Sequence, residues 1–86
     1  MNATDAPGLD YREHIDVDPA ILVGRPVIKG TRVPVSLILN LLGHGAAFAD
    51  ILADYPILTV DDIRASILYA EARLDREDVF LLSAQQ

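Results

Sequence analysis

The sequence predicts a mostly α fold: a three-helix, helix-turn-helix bundle preceded by a short N-terminal β-hairpin extension. Three observations carry this. A nearly unbroken apolar stretch from Val35 to Leu42 stands between a proline and two glycines. Two later segments repeat apolar residues at steps of three and four, the spacing of one helical face. Upstream, β-branched residues broken by Gly and Pro read as short extended pieces.

Residues 1–9 are small and polar and read as a flexible tail. The domain is expected over 10–74, with a β-containing extension at 14–33 and helices at about 34–43, 46–54 and 59–74. In "HIDVDP", Ile15 and Val17 alternate with polar residues, and Asp18-Pro19 ends the piece. "ILVGRPVIKGTRVPV" is hairpin-like, with its turn near Lys29-Gly30-Thr31 and Gly30 supplying the unusual backbone angle. Ile28, Val33 and Val35 are expected to pack, while Lys29 and Arg32 project outward.

Pro34 suits the start of the first helix, and Gly43 or Gly45 its end. Only Ser36 and Asn40 break its apolar run, so it must be covered on nearly all sides. Two short helices cannot do that alone. Val35, Leu37, Ile38, Leu39, Leu41 and Leu42 are therefore predicted to form a dimer interface. In the second helix Phe48, Ile51, Leu52 and Tyr55 share a face, and Pro56 ends it. Thr59 is placed to cap the third helix, with Asp61 and Asp62 in its positive first turn. Val60, Ile63, Ile67, Ala70 and Leu74 are predicted as its buried stripe. Residues 75–86 read as a C-terminal tail, in which Asp75 to Asp78 either extend the helix or end it. Val79, Phe80, Leu81 and Leu82 in that tail either pack back onto the bundle or hook another protein, with Phe80 the leading anchor.

Composition narrows the function. The chain has 86 residues, 51% of them hydrophobic, which is apolar for a domain whose core lies near the lower size limit. Self-association or a partner is the expected outlet for that surface. No cysteine is present, which fits a cytoplasmic protein without disulfides or thiolate metal sites. No apolar run reaches the roughly 18 residues that span a bilayer, and the first residues do not read as a secretory signal. The net charge of −6 opposes generic attraction to nucleic acid. Yet no acid occurs between Pro19 and Ala49, where Arg25, Lys29 and Arg32 stand alone.

A catalytic reading is weak, and no enzyme, cofactor, metal or small-molecule substrate is expected. His14 and His44 lack ligand spacing, and His44 between glycines reads as a solvated loop residue. Asp61 and Asp62 are neighbours on a helix and diverge. Asp16 and Asp18 face one way but lack the further oxygens a cation needs. "VGRP" lacks the spacing of a phosphate loop. A helix-turn-helix fits the lengths of the second helix, "PILT" and the third helix, but Asp61 and Asp62 would meet phosphate there. Arg25, Lys29 and Arg32 are better placed for nucleic acid, with Arg64 and Arg73 as further candidates. Keeping the loop soluble explains the first three equally well.

The segment from Ile15 to Ala70 resembles the small bacterial family called domain of unknown function 433. The resemblance lies in "DP", "GRPVIKGTRVPV", "YPILT" and a helix ending in "YA". It implies a three-helix, homeodomain-like fold with a β-containing extension. It also implies an antitoxin that binds and silences a PIN-like ribonuclease toxin from an adjacent gene, and that represses its own operon as a dimer through operator DNA. In this chain Val23 stands where the family commonly has glycine, and "GAAFAD" replaces a Ser/Thr cap at the second helix. The missing cap costs on the order of 1 kcal/mol. The reading that follows is a cytoplasmic, homodimeric antitoxin-like protein. A stand-alone DNA-binding regulator and a non-catalytic dimeric scaffold are the alternatives.

Overall fold

The computed structural model describes the backbone of residues 8–20 and 22–85 and the side chains of 8–20 and 23–75. A 3-10 turn, Tyr11–Glu13, leads into β1 (Ile15–Asp16), and a tight turn at Leu22–Gly24 leads into β2 (Val27–Ile28). Three helices follow: α1 (Val35–Gly43), α2 (Phe48–Asp54) and α3 (Val60–Gln85).

β1 and β2 pair antiparallel, with Ile15 opposite Ile28 and Asp16 opposite Val27. The expected hairpin is also present, because Val27 bridges Pro34 on its other side. The Ile28 N–H donates to the Val33 carbonyl at 2.9 Å and the Val35 N–H to the Pro26 carbonyl at 3.0 Å. Backbone pairing thus carries the chain straight into α1. Pro34 sits just before that helix in extended conformation, where its missing N–H costs nothing.

Ile15, Ile28, Val35, Ile38, Ile51, Leu58, Ile63 and Ala65 form one buried cluster between the ribbon and the three helices. The anticipated face of α2 holds: Ile51 is buried, and Phe48, Leu52 and Tyr55 pack against the cluster. α2 begins without a side-chain cap, as "GAAFAD" implied. The Asp50 carboxylate offsets part of that loss by accepting the Ala47 N–H at 2.9 Å.

α3 differs from expectation in two ways. It runs through the charged Asp75 to Asp78 and on to Gln85, well past 74. No proline or glycine interrupts that stretch, so nothing in its residue types stops the helix at 74. Its inward face also differs from the expected stripe. Ile63 is buried, but Val60, Ile67 and Leu74 are exposed and Ala70 is half-buried. The inward positions belong instead to Ala65 and Ser66, both without accessible surface. Small side chains let the neighbouring segments approach closely, and the Ser66 hydroxyl donates to the Asp62 carbonyl at 3.0 Å, so its polarity is satisfied inside. The N-terminal 3-10 turn occupies this face, with Tyr11 edge-on to Tyr69 at 5.9 Å.

α1 is likewise covered more by its own chain than its composition suggested. Val35 and Ile38 are buried in the core, while Leu37, Leu39, Leu41 and Leu42 are half-buried. The first two have no surface left to offer a second subunit.

Candidate functional site

Gly30 opens the hairpin tip with φ of 80°, an angle a β-carbon opposes. Thr31 then locks it. Its hydroxyl donates to the Ile28 carbonyl at 2.7 Å and accepts the Val33 N–H at 3.0 Å. Its own N–H donates to the same Ile28 carbonyl at 3.0 Å. The turn is therefore fixed from both ends by one side chain, and Lys29 and Arg32 on either side of it are exposed.

Gly30, Thr31, Arg32 and Val33 border a shallow groove with Asp16 and Ile57. Ile57 lies in the connection between α2 and α3 and is 63% exposed. The groove thus joins the ribbon tip to the α2–α3 connection, bringing Arg32 and an exposed aliphatic side chain to one surface. Arg25 is exposed and donates to the Ser36 hydroxyl at 3.0 Å, beside the start of α1. Among the described residues, ion pairs join Asp10 to Arg12 and Asp61 to Arg64, and His14 hydrogen-bonds Asp62. Arg25, Lys29 and Arg32 take part in none of these.

The other two predicted basic residues do not join this surface. Arg64 pairs with Asp61 at 3.5 Å on the outer face of α3. Arg73 lies over the Tyr69 ring at 5.8 Å. Nine residues apart on a helix, they point in opposite directions. Val79, Phe80, Leu81 and Leu82 fall on the α3 backbone, but their side chains lie outside the described residues.

Sequence reasoning missed the pair that holds the N-terminal segment down. His14 Nδ1 lies 2.9 Å from Asp62 Oδ1, with both side chains mostly shielded from solvent. The other carboxylate oxygen of Asp62 accepts the Thr59 N–H at 2.9 Å, and the Asp62 N–H donates to the Thr59 hydroxyl at 3.1 Å. Asp62 therefore completes a capping box and tethers His14 at once. The spacing from Thr59 to Asp62 signals the box, but nothing in the sequence signals a histidine 48 positions away. With both oxygens committed, this pair reads as a clamp. Among the described residues no group of three or more His, Asp or Glu side chains is arranged to hold a metal ion. Nor is any helix there long and apolar enough to cross a membrane.

A family described as protein of unknown function (DUF433) matches residues 15–70. The chain belongs to this family. The DUF433 match covers β1, the hairpin, α1, α2 and the first part of α3, the elements that build the groove. A crystal structure of a DUF433 member protein from Anabaena variabilis superimposes with a TM-score of 0.68 at 30% identity, covering 80% of this chain and 68% of that one. The uncharacterized protein y4eO of Sinorhizobium fredii is 39% identical over 61 residues. That stretch is 71% of this chain but only 28% of y4eO, so the chain spans little more than a quarter of that relative's length.

Proposed function

We propose that this DUF433 protein is the antitoxin of a bacterial toxin–antitoxin pair. It binds and neutralises a PIN-like ribonuclease encoded next to it, and has no catalytic activity of its own. The observation that carries this reading is the tightly turned basic tip in a chain of net charge −6, with Arg32 beside the exposed Ile57 and Asp16 at the edge of the same groove. A PIN-like nuclease holds its metal ions in a cluster of carboxylates. An exposed guanidinium on a rigid turn, with an apolar neighbour, suits such a cluster, giving the charge a partner and the aliphatic side chain a dry contact. The protein acts in the cytoplasm as a homodimer, and the dimer or its toxin complex represses the operon.

Co-expression with the adjacent open reading frame tests this. A stable complex and rescue from growth arrest are expected. Arg32→Glu should weaken the complex by about 100-fold or more, because it sets like charges together. Phe80→Ala should weaken it if the C-terminal apolar residues anchor the toxin. The proposal is lost if no complex forms, or if Arg32→Glu binds the nuclease as well as the parent chain.

A second reading, a stand-alone DNA-binding regulator, draws on the same exposed Lys29 and Arg32 and on the α2–turn–α3 arrangement. It requires promoter binding that falls steeply with salt and disappears in the Lys29→Glu/Arg32→Glu variant. Binding indifferent to salt would exclude it.

A further inference from the structure

The outer face of α3 carries large apolar side chains where the helix has no cover from its own core. Val60 is 46% exposed, Ile67 40% and Leu74 54%. They are spaced by seven, so they stack along one line of the helix. Arg64 and Glu71, both exposed, form a parallel row beside that line, about 40° round the helix. Leu39 of α1 and Ala70 flank Ile67 and Leu74 in a shallow apolar groove, and Leu68 flanks Ile67 on the other side.

The order along these two rows, Val-Arg-Ile-Glu-Leu, is what selects the occupant. The apolar positions are symmetric about Ile67, and the two charges are of opposite sign at nearly equal distance from it. We infer that this face pairs with the same face of a second copy, antiparallel and two-fold symmetric about Ile67. In that arrangement Ile67 meets Ile67 of the second copy, and Val60 meets its Leu74. Arg64 comes within one residue step, about 1.5 Å along the axis, of the second copy's Glu71. The two-fold forms that contact twice. A parallel, in-register pairing would put the two charged rows on opposite sides of the seam, so neither contact would form.

Arg64 is free to turn. Its pairing with Asp61 is between exposed groups at 3.5 Å, a contact of little strength. A seven-residue repeat also keeps two helices in register at a shallow left-handed crossing, so three layers form over about 20 Å. The inference moves self-association from α1, whose Val35 and Ile38 are already buried, to α3. It stands independently of the nuclease reading.

The test is sedimentation equilibrium of the full chain over a concentration series, with helicity followed by circular dichroism. The parent chain is expected to be a dimer. Ile67→Glu should weaken it by about 100-fold or more with helicity kept, because the two-fold brings both new carboxylates together. Arg64→Glu should weaken the dimer and Arg64→Glu/Glu71→Arg restore it, since the swap recreates the same two contacts. The chain contains no cysteine, so single replacements report direction. Val60→Cys mixed with Leu74→Cys should cross-link on oxidation, and neither alone. A monomeric parent chain, a dimer unaffected by Ile67→Glu, or cross-linking of Val60→Cys with itself would each overturn the inference. A monomer that still captures the nuclease leaves the antitoxin reading intact. A dimer of this geometry that does not capture it removes that reading and keeps this one.

Discussion

The hairpin tip and α3 use side-chain polarity in opposite ways. At the tip, one hydroxyl on Thr31 closes the turn, and the charged residues beside it face solvent. On α3 a serine is fully buried while valine, isoleucine and leucine stand outside. A tip residue takes its role from the backbone angle and the neighbours one or two positions away. A helical residue takes its role from whatever distant segment lies across from it. For α3 that segment is Tyr11 to His14, which runs antiparallel to the helix, with His14 at Asp62 and Tyr11 two turns further on at Tyr69.

The sharpest way to test the contrast is within α3 itself. Ile63 has no accessible surface and Ile67, one turn away, is 40% exposed. Ile63→Ala should destabilise by about 2–5 kcal/mol in denaturant unfolding, a large part of the stability of so small a domain. Ile67→Ala should change the unfolding of a dilute, monomeric sample by well under about 1 kcal/mol. Equal losses would mean that both isoleucines belong to the same core.

Next in size is Asp62, where the two regions meet. Asp62→Ala removes a cap and leaves His14 without its partner, so a loss of about 2 kcal/mol is expected. A double-mutant cycle with His14→Ala should return a coupling of about 1 kcal/mol, and strict additivity would show that the two groups act separately.

A gain is expected at Val23. It is 95% exposed and held at φ 57°, ψ 39°, a conformation that opposes a β-branched side chain. Val23→Gly should raise stability by about 1 kcal/mol, measured as a higher unfolding midpoint. The strain accounts for the glycine that the DUF433 resemblance leads one to expect at this position.

The smallest effect belongs to the start of the chain. The side chain of Arg12, and then its backbone N–H, hold the Asp10 carboxyl below its ordinary value of 3.8. The stabilisation of the first 3-10 turn is therefore complete above that value and is lost as the pH falls through the lowered one. A chemical-shift titration of Asp10 should show a midpoint below 3.8, and Arg12→Ala should move it up toward that value, the retained backbone N–H keeping part of the shift. Both groups are in water, so global stability should hardly respond.

What the sequence disclosed follows the same division. The positions of α1 and α2, the hairpin turn at Lys29-Gly30-Thr31 and the capping role of Thr59 were legible, because each is dictated by local geometry. The outward placement of Lys29 and Arg32 was legible too, since the alternation about Gly30 fixes it. The orientation of α3 was not. Apolar periodicity assigned Val60, Ile67 and Leu74 to the interior, whereas Ala65 and Ser66 are small enough to admit the Tyr11 turn and so took those places. The surplus of apolar residues did signal unmet apolar surface: Val60, Ile67 and Leu74 of α3 are exposed and four α1 leucines are half-buried, whereas Val35 and Ile38 are covered.

Because the two oxygens of Asp62 are shared between Thr59 and His14, opening of the N-terminal arm is coupled to opening at the beginning of the long helix. His14 in turn offers its carbonyl to the Lys29 N–H at 2.8 Å, which extends the linkage to the edge of the basic tip. Arm, helix start and tip therefore make one opening unit. The amides of Thr59 and Lys29 should take up deuterium at a common rate, and a protein that grips the tip should slow exchange at the far end of the clamp without touching it.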